Sequence, residues 1–537
     1  MATPKIRNLG QFGVITDLDP YDLPPNAFSM AVNARFRNNR VTRSPVFRNV
    51  SNLGTSNPRY LASTLQTTGT DVLFIGYENG RVYRFANGTE TDYSIAAYTP
   101  STVEAVWSSC HLADIPYINR ADRAPWQLPV GGSQFTTLAN WPASTTCGLL
   151  KAYAGALVAL DVTESGTEHP TMVRTSSFAL AGAEPASWDY TTPSTNATRN
   201  ILAEMEGKIV DANVLGTMFV IYSQEQTWAM TFDGSSAIYN YRKLPFVKGA
   251  IAANCSIEIE GQHYVFGVDD IWTHDGVSEQ SIADERVKDF IFSNLNYSKA
   301  SRCFVAHNPQ YTELAFCFVS GDEFTGFAPV DGCNRAAVYD YVRKTWTFDD
   351  LPYVFSATRA NVDSTLAWNT VSATWDTIGG SWQDQDGSFK RTPLFVGDTN
   401  STYSLTKSLY AFDPFGPGSH VAFAVDEHAT LGTMLYRDGI DLDDLGADLQ
   451  GYKQINYIIP QGRIGDGASD LQFSFGSADG YGDTPVYNAY MAYNGDDLYK
   501  VDLGVSGRYL SMRVSFDDYH YFTFSGLDLD IQITGER

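Results

Sequence analysis

Apolar and polar residues alternate in short bursts along most of this chain, and the bursts come in pairs. Each pair reads as an apolar strand, a polar turn and a second strand that carries an aromatic residue. The clearest is Leu73-Phe74-Ile75-Gly76-Tyr77, turning at Glu78-Asn79-Gly80 into Arg81-Val82-Tyr83-Arg84-Phe85. Others couple Phe219–Tyr222 to Thr227–Met230, Tyr264–Val268 to Ile271–Thr273, Ala337–Tyr341 to Thr345–Phe348, and Leu394–Asp398 to Ser408–Phe412. A sixth, weaker copy couples Leu157–Leu160 to Thr171–Arg174 across a long Gly/Thr/Glu-rich turn and lacks the aromatic. The copies recur roughly every 45 to 85 residues, which fits four-stranded blades with variable insertions. The pattern predicts an all-β protein built on a roughly six-bladed β-propeller over residues 51–415, with residues 1–50 as an arm that closes or braces it. Ile201–Asp211 and Ile251–Glu260 are expected as outer blade strands.

After Gly416-Pro417-Gly418 the pattern changes to longer runs with period two, among them Leu471–Phe475, Tyr509–Val514 and Leu527–Ile531. Antiparallel strands with one wet face are expected there, as a C-terminal β-sandwich or small β-barrel over 416–537. Helical periodicity is confined to one short candidate, Ala283–Phe292.

Composition agrees with β structure: 13% of the 537 residues are aromatic and only 18% are charged. The charge adds a second constraint. With 61 acidic against 37 basic residues the net charge is -24, so the chain lacks the cationic surface of a tight nucleic-acid binder, and an acidic wall would repel DNA. No apolar leader follows Met1 and no run is long enough to span a membrane, so a soluble protein is expected. Six cysteines, Cys110, Cys147, Cys255, Cys303, Cys317 and Cys333, form no C-x-x-C pair and read as buried free thiols. Asn-x-Ser/Thr triplets such as Asn87-Gly88-Thr89 read as incidental.

Catalytic motifs do not emerge. There is no G-x-S-x-G elbow, no H-E-x-x-H helix and no P-loop, and Gly131-Gly132-Ser133 and Gly379-Gly380-Ser381 read as turns. The histidines, including His111, His169, His263 and His274, show no ligand spacing and are expected at the surface or in caps. The acidic run Asp438–Asp444 lacks the glycine and distal glutamate of a calcium loop. Asp269-Asp270 and Asp349-Asp350 are expected in plain hairpin turns, and Trp228, Trp272 and Trp346 as packing between blades rather than sugar platforms. The expectation is a protein that is not an enzyme, with no cofactor and no metal.

The two ends of the chain carry a further signal. Asn8-Leu9-Gly10-Gln11-Phe12-Gly13-Val14-Ile15, Leu23-Pro24-Pro25-Asn26-Ala27, Ala31-Val32-Asn33-Ala34-Arg35-Phe36-Arg37 and Val41-Thr42-Arg43-Ser44-Pro45 open it. Gly507–Arg513 and Phe524–Asp530 close it. These stretches resemble the tail nozzle proteins of short-tailed (podovirus) phages, the tail tubular protein B family. The resemblance covers about a fifth of the chain at the level of motif. It implies a structural virion protein that assembles as a hexameric ring below a tail adaptor protein, carries tail fibres or spikes, and forms a conduit and gate for double-stranded DNA during ejection. Assembly in the host cytoplasm and residence in the virion tail follow. The loops Val162–Glu168 and Gly321–Gly326 are candidate gates. The rival readings are a receptor-binding or polysaccharide-degrading tail protein, and a propeller lectin or hydrolase unrelated to phage.

Overall fold

The computed structural model describes residues 4–54, 56–65, 71–86, 88–96, 98–101, 103–235, 237–325, 327–360, 392–399, 406–413, 432–443, 451–465, 468–495, 499–518 and 520–535. Asn87, Gly326, Gly379–Ser381, Gly416–Gly418 and Asp444 lie outside them.

The strands of the central region pair in seven antiparallel quartets arranged as propeller blades. Blade 1 runs Pro58–Leu65, Asp71–Tyr77, Val82–Ala86, Thr89–Asp92. Blades 2 to 5 repeat that order and start at Trp107, Thr145, Asp211 and Ser256. Blade 6 comprises Phe304–Asn308, Glu313–Phe318, Cys333–Asp340 and the first half of the strand Thr345–Ala360. That strand bends at Tyr353, whose backbone lies at a φ of 50°, and its second half becomes the innermost strand of blade 7. Thr392–Gly397 and Ser408–Asp413 follow, and Val46–Asn52, from the other end of the chain, adds the fourth strand. An N-terminal strand thus completes the last blade and closes the ring.

The expected hairpins fall in six of these blades. The seventh, blade 2, gives no such signal because its two outer strands, Trp126–Gln127 and Thr136–Thr137, are two residues long. Two segments sit elsewhere in their blades than expected: Asp211–Leu215 and Ser256–Ile259 are innermost strands, and residues 202–210 are a connection. The helix is Lys288–Asn294, starting later than the sequence pattern because residues 283–287 form turns closing on the Ala283 carbonyl.

A β-sandwich lies outboard of blade 6. One sheet joins Ala34–Arg37, Arg40–Arg43, Phe522–Gly535, Tyr452–Ile464 and Val501–Gly507, with Lys5–Arg7 also on Phe522–Gly535. The other joins Met30–Val32, Thr433–Ile440, Tyr509–Phe516 and Leu471–Ala478, edged by Val486–Tyr487 and Met491–Tyr493. Alternate apolar residues face inward and meet across the sheets, as Phe473 and Phe524 do with ring centroids 5.5 Å apart. Met30–Val32 also pairs with the blade 6 strand, Val32 beside Phe348, so sandwich and propeller share one continuous sheet and one core.

Candidate functional site

Two places concentrate polar chemistry: the seam between sandwich and propeller, and the mouth of the propeller's central channel.

The seam is built from the opening motif. Gly13 adopts a φ of 70°, and a Cβ there would lie 2.9 Å from the Trp346 carbonyl oxygen, so only glycine lets the chain lie against blade 6. From that position Val14 donates its N–H to the Trp346 carbonyl, and Phe28 donates to the Gly13 carbonyl. Asn33, at a φ of 54°, accepts from the Asp350 N–H with its side-chain oxygen and donates to the Gly432 carbonyl. Arg35 is buried and forks onto Asp349 at 2.7 and 2.5 Å while its Nε meets Glu313 at 2.9 Å. Burial opposes the Arg35 charge, but the carboxylates of Asp349 and Glu313 outweigh it and raise its pKa above the ordinary arginine value. Arg37 pairs with the same Glu313. Arg437, also buried, donates to the carbonyls of Pro20 and Leu23 at 2.7 and 2.9 Å, which gives the Leu23-Pro24 stretch its place.

Close by, Arg335 is fully buried between Asp322 at 2.6 Å and Asp350 at 2.8 Å. Asp349 and Asp350 are therefore paired ions of the seam rather than parts of a plain turn. Their doublet looks like turn chemistry in sequence because its partners stand elsewhere in the chain.

The channel holds a cavity of about 360 Å³. Its mouth is laced with ion pairs: Arg59 meets Asp398 at 2.8 Å and Glu78 at 3.3 Å, and Arg302 meets Asp331 at 2.9 Å and Glu104 at 2.5 Å. The Arg59 guanidinium lies 4.0 Å from the centre of the Phe355 ring. Burial would raise the Asp331 pKa, but hydrogen bonds from Arg302 and Lys299 outweigh it and lower it.

The remaining sequence candidates resolve individually. Trp228, Trp272 and Trp346 are buried, and each indole N–H is used, by Gln226 Oε1, the Gly249 carbonyl and the Ile282 carbonyl respectively. Five cysteines are buried and Cys110 is half-buried, all as free thiols, and burial pushes Cys110 and Cys303 up to about 12. His111 is exposed and His169 half-buried. His263 and His274 depart from the surface expectation: both are buried around Tyr222. The Tyr222 hydroxyl lies 2.6 Å from His263 Nδ1 and 2.7 Å from His274 Nε2. His263 Nε2 faces the Val214 carbonyl and His274 Nδ1 accepts from the Gly276 N–H. The only consistent assignment has both rings neutral, with His274 donating to Tyr222 and Tyr222 donating to His263. Periodicity carries no signal for such a network.

Asp270 is buried against Lys248 and Ser281, while Asp269 is exposed. Val162–Glu168 is not a long loop: strands extend through it to a two-residue turn at Ser165-Gly166, and Glu164 binds Arg174 and Arg199. In Gly321–Gly326, Asp322 is fixed by Arg335. Asp438 accepts from Ser29 and Tyr487, and among the described residues no cluster of His, Cys, Asp or Glu is arranged to hold a metal.

No known protein family and no curated protein matches the sequence. Among solved structures the chain is similar to the β-propeller domain of Cps50 (Swd1) from Myceliophteria thermophila, at 7% identity over 58% of this chain and 92% of that one, with a TM-score of 0.36. It is also similar to the computationally designed Ika8 protein, at 9% identity over 68% of this chain and 100% of that one, again with a TM-score of 0.36.

Proposed function

We propose that this chain is a structural virion protein, a subunit of the nozzle ring of a short-tailed phage. The observation that carries the reading is the seam. The stretches at the two chain ends that resemble the nozzle family come together: Leu9 donates its N–H to the Ser525 carbonyl, Val41 pairs with Phe524, and Asn33 and Arg35 fasten that sandwich to blade 6. In this reading the motif residues specify a joint between two bodies, as a tube wall requires, and not a catalytic centre.

In this reading the DNA path lies outside any single propeller. A cavity of about 360 Å³ behind ion pairs has no room for a duplex whose major groove alone is about 12 Å wide. The conduit is then the hole of a ring of copies, hexameric by family resemblance. A net charge of -24 per chain lets double-stranded DNA slide through without the phosphate contacts that would anchor it. The ring sits on a tail adaptor protein and carries fibres or spikes, so its location is the virion tail after assembly in the host cytoplasm.

Co-expression with the proteins encoded beside it tests this reading. The expected result is a co-purifying complex in which rings of this chain seat on an adaptor ring. A chain that ignores those neighbours and lowers the viscosity of a host polysaccharide contradicts it.

A further inference from the structure

The outward face of the sandwich carries an unusual cation. Arg513 is half-buried between two tyrosine rings, its guanidinium carbon 3.8 Å from the Tyr487 centroid and 5.0 Å from that of Tyr436. Its Nε is buried without a hydrogen-bond partner, and among the described residues the side chain has no ion pair. In a chain with 61 carboxylates, an arginine held in place by aromatic stacking and left without an ion pair is a prepared donor for an acidic group. The neighbouring stretch 484–494 has no charged residue, and Val486, Tyr490 and Met491 are exposed on it. Tyrosine, methionine and arginine together, without lysine or glutamate, is the composition of the centre of a protein interface.

The complementary surface exists on the same chain. The turns between the third and fourth strands of five successive blades each expose an apolar residue at or beside the turn: Val130, Leu180, Phe232, Val277 and Val342. These turns share one face of the propeller, because strands one and three of every blade run toward it. At blade 4 the exposed Phe232 ring is followed by Asp233, whose carboxylate has no hydrogen bond or ion pair among the described residues. The Arg513 patch adjoins the opposite face: Phe324, in the connection between strands two and three of blade 6, packs its ring 5.2 Å from Tyr436.

We infer that the Arg513 patch of one copy docks on the blade-turn face of a second copy, with Arg513 meeting Asp233. The occupant is this chain itself because it carries both halves, an unpaired cation among apolar side chains and an unpaired carboxylate among apolar side chains. Two different surfaces in contact make a head-to-tail interface, which closes into a ring or continues as a filament. Local pairing of this kind is also what lets chains of like net charge associate at all. The inference rests on the ring-forming reading above and names the contact that makes the ring.

Sedimentation velocity over a concentration series, on the full chain, tests it. Arg513→Glu and Asp233→Arg should each weaken self-association by roughly tenfold or more, and the double variant, with the charges exchanged, should recover most of it. Met491→Asp, a second exposed position of the patch, should weaken association likewise and guards against a folding defect at Arg513. Unchanged assembly of Arg513→Glu, or no recovery in the exchanged pair, overturns this contact while leaving a ring intact. A wild-type chain that stays monomeric across the series overturns the contact, and one that stays monomeric with its adaptor as well overturns the ring.

Discussion

Arg35 stands at the centre of the seam, and its environment sets a measurable cost for losing it. Replacing it by methionine leaves Asp349 buried without its guanidinium fork and Glu313 with Arg37 alone, and breaking a buried pair from one side costs about 3–5 kcal/mol. Denaturant unfolding at neutral pH should record a loss of that size for Arg35→Met, and a loss below about 1 kcal/mol would show that the seam does not depend on it. Arg35 is visible in the sequence as part of a motif, and Asp349 as part of a doublet. Their union across 314 positions is not, because side-chain pairing at that distance leaves no periodic trace.

His274 gives the second residue-scale prediction. Burial, aided by the neighbouring His263, lowers its pKa from 6.5 to about 3 in the folded chain. Between those values the unfolded chain binds a proton that the folded one refuses, so stability falls as the pH falls through this window, by about 1.4 kcal/mol per pH unit. Stability measured from pH 7 to 4 should fall less steeply in His274→Asn than in the wild type, the two slopes differing by about that amount. Equal slopes would place the acid sensitivity elsewhere. The surface role expected for this histidine fails because an isolated imidazole in a strand reads the same whether or not a tyrosine waits on the next blade.

At the scale of elements, contact between blades is tight where the backbone must pass close. A Cβ on Gly249 would fall 1.9 Å from the Ser223 carbonyl oxygen, with the Gln224 carbonyl carbon at 2.7 Å. Backbone cannot yield as a side chain can, so Gly249→Ala should destabilise by about 1–3 kcal/mol or more, read as a lowered Tm. An unchanged Tm would mean that the connection from blade 4 to blade 5 has slack. Most of this level was legible in advance, since period-two alternation with a turn between is a local property, and six blades declare themselves that way. Two features were not. Blade 2 is finished by two-residue strands, too short to alternate, and the closing arm expected over residues 1–50 showed no sign of its partner, since Val46–Asn52 meets Ser408–Asp413 across most of the chain. The sandwich was expected from the C-terminal strands alone. Its N-terminal members were hidden because Met30–Val32 is buried throughout and so shows no alternation.

At the scale of the molecule, the parts combine into one bonded body. The propeller has its last blade completed by a distant strand, its channel mouth is bound by ion pairs, and the sandwich is held to it through a shared sheet and buried arginines. On the proposed nozzle reading, nothing in that arrangement needs to move for a subunit to line a passage, and the acidity of the chain suits a passage for DNA. The measurement that bears most directly on this account is the mass and rotational symmetry of the purified protein, by light scattering and negative-stain imaging, alone and on its adaptor. The account predicts six-fold rings with a central hole wide enough for a duplex. A stable monomer that remains one in the presence of the adaptor would contradict it.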